Sequence, residues 1–180
     1  MSHTIKRYHP FLVSLHWLLA IAIMFWLFMG HAALEDTPNT DPEKINMLRT
    51  HMAVGIGILI FMLVRLLVRW RSAKPEAINT SSQLNSRLTK LGHYALYMLT
   101  ILMSVSGIVA AQTIGLGDIV FFGSDAPLPE SFEGVAPLLA HKLLSVLLTL
   151  LVIGHVLAAL YHQFALKEKL FTRVWFGARE

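Results

Sequence analysis

The chain has 180 residues, of which 55% are hydrophobic and 14% are charged, and it contains no cysteine. A composition this apolar, with a positive mean hydropathy of +0.58, argues against a soluble domain. The lack of cysteine excludes disulfides, iron–sulfur clusters and thiol catalysis. The net charge of +4 needs no nucleic-acid partner, because it follows from the topology described below.

Four apolar segments follow one another along the chain. They predict membrane-spanning helices over about residues 11–31, 46–70, 88–112 and 137–165, long enough at about 1.5 Å per residue to cross a hydrocarbon core of roughly 30 Å. The first segment is longer than a signal-peptide core and lacks a cleavage site, so we expect it to remain as a span. The predicted fold class is all-α, a four-transmembrane-helix bundle forming a single integral-membrane domain over residues 1–180.

The connections between these segments carry their own signals. Asp41 and Pro42 match an N-cap followed by the first helical position, so the second helix is expected to begin there, outside the bilayer. Residues 113–136 are rich in glycine and proline around Phe121 and Phe122, which predicts a lid-like loop on the outer surface. Pro137 is expected to open the fourth helix.

The cationic residues are unevenly distributed between the two sides of the predicted bundle. One side carries only Lys44, Arg49 and Lys142, together with eight acids. Since positive loops stay in the cytoplasm, both termini are predicted to be cytoplasmic. Twelve of the fifteen Lys and Arg residues lie on the side of the termini: Lys6, Arg7, Arg65, Arg69, Arg71, Lys74, Arg87, Lys90, Lys167, Lys169, Arg173 and Arg179.

Four histidines fall at two depths of the predicted membrane. His16 and His155 lie near the cytoplasmic end, and His51 and His141 lie near the outer end. His141 and His155 are on nearly the same face of the fourth helix, about 21 Å apart along its axis. Ionisable groups at such depth suggest function, although a helix–helix hydrogen bond is the ordinary alternative for any single histidine. The tail histidines are expected to be solvated surface residues: His3 and His9.

Small residues accompany these four histidines. A flat macrocycle bound side-on to a helical histidine needs a small neighbour one turn away on the same face. The residues four positions on are all small: Ala20, Gly55, Ser145 and Ala159. The residues at that offset from His31, His93 and His162 are larger: Glu35, Tyr97 and Leu166.

Paired imidazoles at two levels favour haem over zinc. Two axial histidines close both open positions of a haem iron, which suits electron transfer. Structural zinc sites need four ligands at one point, and no carboxylate lies in the centre of any span. The pattern therefore predicts two bis-histidine haems.

Cationic residues near each level are candidates for binding the haem propionates. Arg65 and Arg69 lie four residues apart on the second helix and match the inner haem, while snorkelling to the cytoplasmic surface is an equally good explanation of both. Arg49 and Lys142 lie beside His51 and His141, where they could bind propionates or attract a small anion to the haem edge.

Several local motifs resemble those of the bacterial cytochrome b561 family. On the first two helices the matching residues are Ser14-Leu15-His16-Trp17-Leu18 and Arg49-Thr50-His51-Met52-Ala53-Val54-Gly55. On the last two they are Leu91-Gly92-His93-Tyr94-Ala95-Leu96-Tyr97, His141-Lys142 and Gly154-His155-Val156-Leu157-Ala158-Ala159-Leu160-Tyr161-His162. The architecture is also similar to the b-type subunits of membrane formate dehydrogenases and nickel–iron hydrogenases.

The resemblance implies two haem b groups, one ligated by His16 with His155 and the other by His51 with His141. It implies location in the bacterial inner membrane, contact with lipid, and exchange of electrons with the quinone pool. Since some members oxidise superoxide at the outer face and reduce ubiquinone, we expect superoxide as a candidate donor, steered by Arg49 and Lys142 as catalytic residues.

His93 and His162 are the candidate quinone-site residues beyond the four ligands. A quinone carbonyl accepts a hydrogen bond and takes up a proton once reduced, and a histidine can supply both. The alternative for these two histidines is interfacial anchoring with Tyr94 and Tyr161 in an aromatic belt.

The predicted function is electron transfer across the membrane through two haems, from an outer-face donor to the quinone pool. One rival is a haem-bearing anchor subunit that passes electrons for a separate dehydrogenase or hydrogenase, with a redox protein as its partner. A second rival is a non-haem metal or proton transporter.

Overall fold

The structure is a computed structural model that describes residues 6–73, 75 and 83–177, with the backbone alone over 83–86. His3, Lys74 and Arg179, which the histidine and charge patterns included, lie outside the described residues.

Helices account for almost all of the regular structure. Helix α1 (Pro10–Met29) continues into a π-helical turn (Gly30–Leu34), and α2 (Lys44–Arg71), α3 (Gln83–Ile114) and the short α4 (Leu116–Phe121) follow. Helix α5 (Ala136–Leu160) continues into a second π-helical turn (Tyr161–Ala165), and a 3-10 turn (Leu170–Val174) lies near the C-terminus.

Four of these helices have the length and hydropathy needed to cross a membrane: Pro10–Leu34, Lys44–Arg71, Arg87–Ile114 and Ala136–Ala165. The prediction of an all-α bundle with four spans is confirmed, and the protein is a multi-pass membrane protein. Large apolar side chains such as Phe28, Leu150 and Phe164 stay exposed on its surface, which is where lipid rather than water would cover them.

The bundle is built from neighbours in sequence. Helix α3 packs against α2 and most extensively against α5, while α1 packs on α2 and also touches α5. At one end, α4 lies against α2 and α3 around a cluster formed by Leu48, Ala111, Leu116 and Val120. The four long helices therefore surround a common interior, into which their histidines project from two levels.

Hydrogen bonds join the N-terminal and C-terminal segments at the opposite end of the bundle. The Tyr8 backbone N–H donates to the Arg173 carbonyl at 3.1 Å, and Arg7 donates to the Phe176 carbonyl at 2.8 Å. The indole N–H of Trp17 donates to the carbonyl of Val174 at 2.8 Å. Both described ends of the chain thus lie on the same side of the bundle.

Helix α2 begins at Lys44, two residues later than predicted. The Asp41 carboxylate accepts a hydrogen bond from the Glu43 N–H at 2.8 Å, and its carbonyl accepts from the Lys44 N–H at 3.0 Å, so Asp41 shapes a turn before the helix. The ammonium group of Lys44, a residue only 4% exposed, donates to the carbonyls of Leu34 and Thr37. Lys44 therefore satisfies carbonyls at the end of α1 that lack a helical partner.

The loop after α3 contains a helical turn that glycine and proline content did not predict. Gly115 adopts a left-handed conformation (φ 77°), which ends α3 and starts α4. Asn39 donates to the Pro129 carbonyl at 2.7 Å, which ties the loop to the connection between α1 and α2. Pro137 lies in the first turn of α5, as expected.

Candidate functional site

A cavity of about 1110 Å³ lies between α1, α2, α3 and α5, beneath the loop that precedes α5. Ligand pockets in proteins commonly measure roughly 300–1,000 Å³, so this one has room for a large planar group. His51 and His141 line it from different helices, and Phe132 and Val135 of the loop line it as well. The loop after α3 thus contributes to the wall of this partly open cavity.

The imidazoles of His51 and His141 face the cavity as a pair. Their ring centres are 6.1 Å apart and their planes are inclined by 80°. Since a metal–imidazole bond is about 2 Å long, two rings that hold one iron from opposite sides have centres roughly 6 Å apart. The spacing of this pair fits a bis-histidine haem iron.

His141 is oriented by α3. Its Nδ1 donates to the Met103 carbonyl at 2.9 Å and lies 3.2 Å from the Ser106 hydroxyl. Because a carbonyl can only accept, the proton is on Nδ1, and Nε2 is left free to bind a metal. The ring also packs on Gly107, where an added Cβ would lie 3.0 Å from His141 Cε1.

Sequence reasoning missed Met103, Ser106 and Gly107. A glycine within a long helix is a signal of close backbone approach, and it could have drawn attention to Gly107. The role of the Met103 carbonyl could not be recognised in the sequence, because every residue has a backbone carbonyl.

His51 has a different environment. Its Nδ1 is buried and has no hydrogen-bond partner among the described residues, which is rare for a buried polar atom and calls for a partner from outside the chain. The edge of Trp26 packs on the ring at a centroid distance of 5.2 Å. One turn along α2, a Cβ built on Gly55 would meet no atom within 4 Å, so open space adjoins this helix face.

The inner level contains three imidazoles. His155 packs against His93 with ring centres 5.5 Å apart, and His16 lies within electrostatic range of both and of Arg65. The Nδ1 of His93 donates to the Thr89 carbonyl at 2.7 Å, which leaves its Nε2 free. The structure therefore places the predicted quinone residue His93 directly beside the predicted ligand His155.

The two arginines on α2 have separate surroundings. Arg65 donates to the Tyr97 hydroxyl at 2.9 Å and to the Leu12 carbonyl at 3.0 Å, so it lies inside the bundle. Arg69 stacks over the Tyr8 ring at 5.6 Å, close to the chain termini. Arg65 lies within electrostatic range of His16, His93 and His155, whereas Arg69 acts on His93 alone among these three.

At the outer end, the predicted cations are both engaged. Lys142 forms an ion pair with Glu35 at 2.6 Å, and Arg49 donates to the Val120 carbonyl at 2.8 Å and to the Asn46 side chain at 2.9 Å. The hydrogen bond from Lys142 lowers the pKa of the Glu35 carboxyl, so this carboxylate is ionised at neutral pH. Glu35 thus offsets the charge of Lys142 at the cavity mouth.

His31 and His162, the remaining membrane histidines, each lie in a π-helical turn and each contact a carboxylate. His31 is 3.4 Å from Glu35 and 3.1 Å from the Ser145 hydroxyl. His162 donates to Glu168 at 2.6 Å, and both side chains are largely buried. The tail residue His9 is exposed and accepts a hydrogen bond from the Phe11 N–H at 3.2 Å.

A haem group fits the outer site. The facing imidazoles, the unpartnered nitrogen of His51, the close approach at Gly107 and the cavity volume all agree with a planar metal macrocycle. No group of three or more His, Cys, Asp or Glu arranged for one metal ion occurs in the part of the chain that the structure describes. Four membrane helices around paired imidazoles define a protein of the membrane b-type cytochrome class.

Comparison with known proteins gives the family. The model of the prokaryotic cytochrome b561 family matches residues 7–177. The chain therefore belongs to the prokaryotic cytochrome b561 family, which confirms the resemblance found in the sequence and implies haem b as cofactor and a role in electron transport.

Three relatives cover nearly the whole chain. A probable superoxide oxidase CybB of Yersinia pestis is 30% identical over 173 residues, which is 94% of this chain and 96% of that protein. Cytochrome b561 homolog 2 of Escherichia coli K12 is 26% identical over 176 residues, or 96% and 93% of the two chains. Cytochrome b562 of Cereibacter sphaeroides is 28% identical over 167 residues, or 90% of each chain.

Proposed function

We propose that this protein carries electrons across the bacterial inner membrane through two haem b groups, from superoxide at the outer face to ubiquinone near the cytoplasmic face. The observation that carries this proposal is the His51–His141 pair, whose ring centres lie 6.1 Å apart beside a large cavity, with further imidazoles at a second level of the same bundle. The similarity to a probable superoxide oxidase supports the choice of donor.

The chain's own residues hold one haem at each level in this proposal. His51 and His141 are the outer ligands, and His16 and His155 are the inner ones. Each haem, when bound, supplies a one-electron redox centre. The hydrogen bond from His141 Nδ1 to the Met103 carbonyl keeps one ring in the tautomer and orientation that a ligand needs.

Small residues at the outer level leave room for the macrocycle. Gly55 provides open space one turn from His51, and Gly107 lets α3 approach the ring of His141. Larger side chains at either position would occupy space at the haem.

The outer cations attract the anionic donor. Arg49 and Lys142 are both exposed at the end of the bundle that carries the lid, and charges in such a position raise the encounter rate of a small anion. Glu35 opposes Lys142 at this mouth, so the attraction depends on the balance of the two charges. Superoxide gives up one electron and leaves as oxygen, and no proton is required.

The inner level is the proposed place of quinone reduction. His93 lies beside His155, and its Nε2, which carries no proton while Nδ1 donates to the Thr89 carbonyl, can accept a hydrogen bond from a quinol hydroxyl. His162, seven residues after His155, is the second candidate contact. Arg65, which lies within electrostatic range of His16, is the candidate partner of the inner haem propionates, and Arg69, which stacks over Tyr8, is the second candidate.

The proposed orientation of the bundle in the membrane follows from the distribution of its cationic residues. The end of the bundle that holds both described chain ends also carries Arg7, Arg69 and Arg173, and cationic loops remain in the cytoplasm. We therefore place the N- and C-termini in the cytoplasm and the lid outside.

Spectroscopy and rapid kinetics on the purified protein test the proposal. A reduced-minus-oxidised spectrum with a b-type signal and two haems per chain is expected. Stopped-flow mixing with superoxide should reduce the haems, and ubiquinone should then oxidise them. Absence of haem would refute the proposal and favour a transporter of protons or another metal.

Two haems without reaction with superoxide would identify the protein instead as an anchor subunit for a separate dehydrogenase or hydrogenase. In that outcome a redox protein partner should co-purify with it. The quinone arm of the experiment is independent of the donor, so it separates failure of the outer reaction from failure of the inner one.

A further inference from the structure

A half-buried carboxylate–imidazole pair lies where α5 ends. His162 Nδ1 donates to Glu168 Oε2 at 2.6 Å, and the side chains are only 20% and 18% exposed. An ion pair this sheltered is unusual at a surface where long polar side chains can reach water. The His162–Glu168 pair is therefore a specific contact of the fold rather than a transient contact at the surface.

The backbone around Glu168 is held in an uncommon shape. Lys167 and Lys169 on either side both have positive φ, 56° and 50°, and each such residue costs about 1 kcal/mol or more unless the surroundings hold it in place. The Glu168 N–H donates to the His162 carbonyl at 3.0 Å. This local bonding turns the chain back so that the Glu168 carboxylate meets the His162 ring.

Neighbouring contacts fix the turn further. His162 lies in the π-helical turn Tyr161–Ala165, a form of helix that is frequent at functional sites. The Gln163 side chain accepts a hydrogen bond from the Phe171 N–H at 3.0 Å, which ties the segment after Glu168 to the end of α5. Strain that persists in this way is a reason to look for a role of the pair beyond packing.

The position of the pair relative to the inner histidines suggests that role. His162 follows His155 by seven residues, about two helical turns or roughly 10 Å along the axis, toward the end of the bundle where the chain termini meet. A haem passes electrons only, whereas a quinone reduced beside it must also gain protons. Because Nδ1 of His162 faces Glu168, its Nε2 faces away and is available to a quinone oxygen.

We propose that Glu168 and His162 form the relay that carries protons from the aqueous phase to the quinone. The reaction is one quinone plus two electrons from the inner haem, taken one at a time, plus two protons, giving one quinol. For each proton, His162 carries protons on both ring nitrogens while Nδ1 donates to the Glu168 carboxylate, and Nε2 gives its proton to the quinone oxygen. The ring keeps its Nδ1 proton, and water returns a proton to Nε2 while the Glu168 carboxylate stabilises the charged ring. Glu168 acts through His162 and does not touch the quinone, and this inference rests on the proposed reduction of quinone at the inner level.

Two electron acceptors separate a proton relay from a structural ion pair. Ferricyanide takes one electron and no proton, whereas ubiquinone needs both. Protein reduced with dithionite in detergent is mixed with either acceptor, and haem oxidation is followed in wild type, Glu168→Gln and the control Glu133→Gln, which removes an exposed carboxylate of the lid loop.

Glu168→Gln is expected to keep both haems, to react with ferricyanide at the wild-type rate, and to react with ubiquinone at least tenfold more slowly. Its ubiquinone reaction should also slow further in heavy water, while Glu133→Gln matches wild type throughout. Glu168→Asp, which keeps the acid on a shorter side chain, should restore part of the ubiquinone rate, and it is the test variant should Glu168→Gln not assemble.

Three results would overturn the relay. An unchanged rate of oxidation by ubiquinone in Glu168→Gln would contradict the relay. Equal slowing with both acceptors would contradict it too, because it would indicate a structural role of Glu168. If ubiquinone fails to oxidise even the wild-type haems while ferricyanide succeeds, the proposed quinone reduction fails, and the relay falls with it.

Discussion

The ring centres of His51 and His141 lie 6.1 Å apart, on helices that are not adjacent in sequence. His141 is locked by a hydrogen bond to α3, whereas His51 has a buried nitrogen without a partner among the described residues. A hydrogen bond within the protein thus holds the His141 ring, whereas Nδ1 of the His51 ring has no such bond among the described residues. This asymmetry leads to specific expectations for variants.

Removing a histidine ligand should remove one haem of two. His51→Ala or His141→Ala is expected to leave only the inner haem, and His16→Ala or His155→Ala only the outer one, since a haem with one axial imidazole loses much of its binding. The measurement is haem content per chain with low-temperature spectra of the purified variants. His9→Ala is the control and should keep both haems, because His9 is an exposed helix cap. Retention of two haems by His141→Ala would contradict the ligand assignment.

Gly107 should tolerate no side chain. In Gly107→Ala the new Cβ would lie 3.0 Å from His141 Cε1, so the ring must move while iron and the Met103 carbonyl hold its two nitrogens. We expect a shifted electron paramagnetic resonance signal of the outer haem, or its partial loss, with the inner signal unchanged.

Gly57→Ala is the matched control for this substitution. Gly57 is also a helical glycine, and a Cβ at that position meets no atom within 4 Å. It should leave both haem signals intact and stabilise α2 slightly, by about 0.5–1 kcal/mol from helix propensity alone. Identical spectra for the two variants would argue against the tight contact at His141.

The Glu35–Lys142 ion pair should limit the reaction with superoxide. Glu35→Gln frees the charge of Lys142, so the rate of haem reduction at low ionic strength is expected to rise about two- to fivefold, and Lys142→Gln should lower it by a similar factor. Both differences should vanish at high salt, where the Debye length is about 3 Å at 1 M. Asp125→Asn, which removes an exposed acid elsewhere in the loop, should have a smaller effect.

The pH of that measurement follows from the pKa of Glu35. Lys142 lowers this pKa below its ordinary value, so the ion pair is fully present at neutral pH and is lost only as the pH falls through the lowered value. At pH 7–8, a comparison of wild type with Glu35→Gln or Lys142→Gln is therefore a comparison of an intact ion pair with a missing one. A salt-independent rate in all variants would argue against steering, though not against electron transfer.

Arg65 and Arg69 should differ in their effect on the inner haem. Arg65 is fixed inside the bundle by Tyr97 and the Leu12 carbonyl, and a unit charge at roughly 10 Å with an effective dielectric of about 20 contributes about 1–2 kcal/mol. Arg65→Gln should lower the midpoint potential of the inner haem by that amount, because a positive charge favours the reduced form. Redox titration should show a smaller change in this midpoint potential for Arg69→Gln. Equal shifts in the two variants would contradict the expected difference between Arg65 and Arg69.

Hydropathy and residue spacing were enough to predict the four spans and the histidine motifs of this protein. Four apolar runs are visible without any tertiary information because a bilayer requires long uninterrupted helices. Helical periodicity alone also shows that a small residue lies one turn after each of His16, His51, His141 and His155, on the same helix face. The family model matches residues 7–177 and so covers all four of these histidines.

Only the tertiary structure decided which groups meet. Sequence could not show that Met103 and Gly107 of α3 position His141, that Glu35 neutralises Lys142, or that Glu168 folds back onto His162. Nor could it show that the Lys44 side chain donates to the carbonyls of Leu34 and Thr37. Periodicity reports which face of a helix a residue occupies, but helix rotation, backbone carbonyls and left-handed turns determine its partners, and these arise only when the helices pack together.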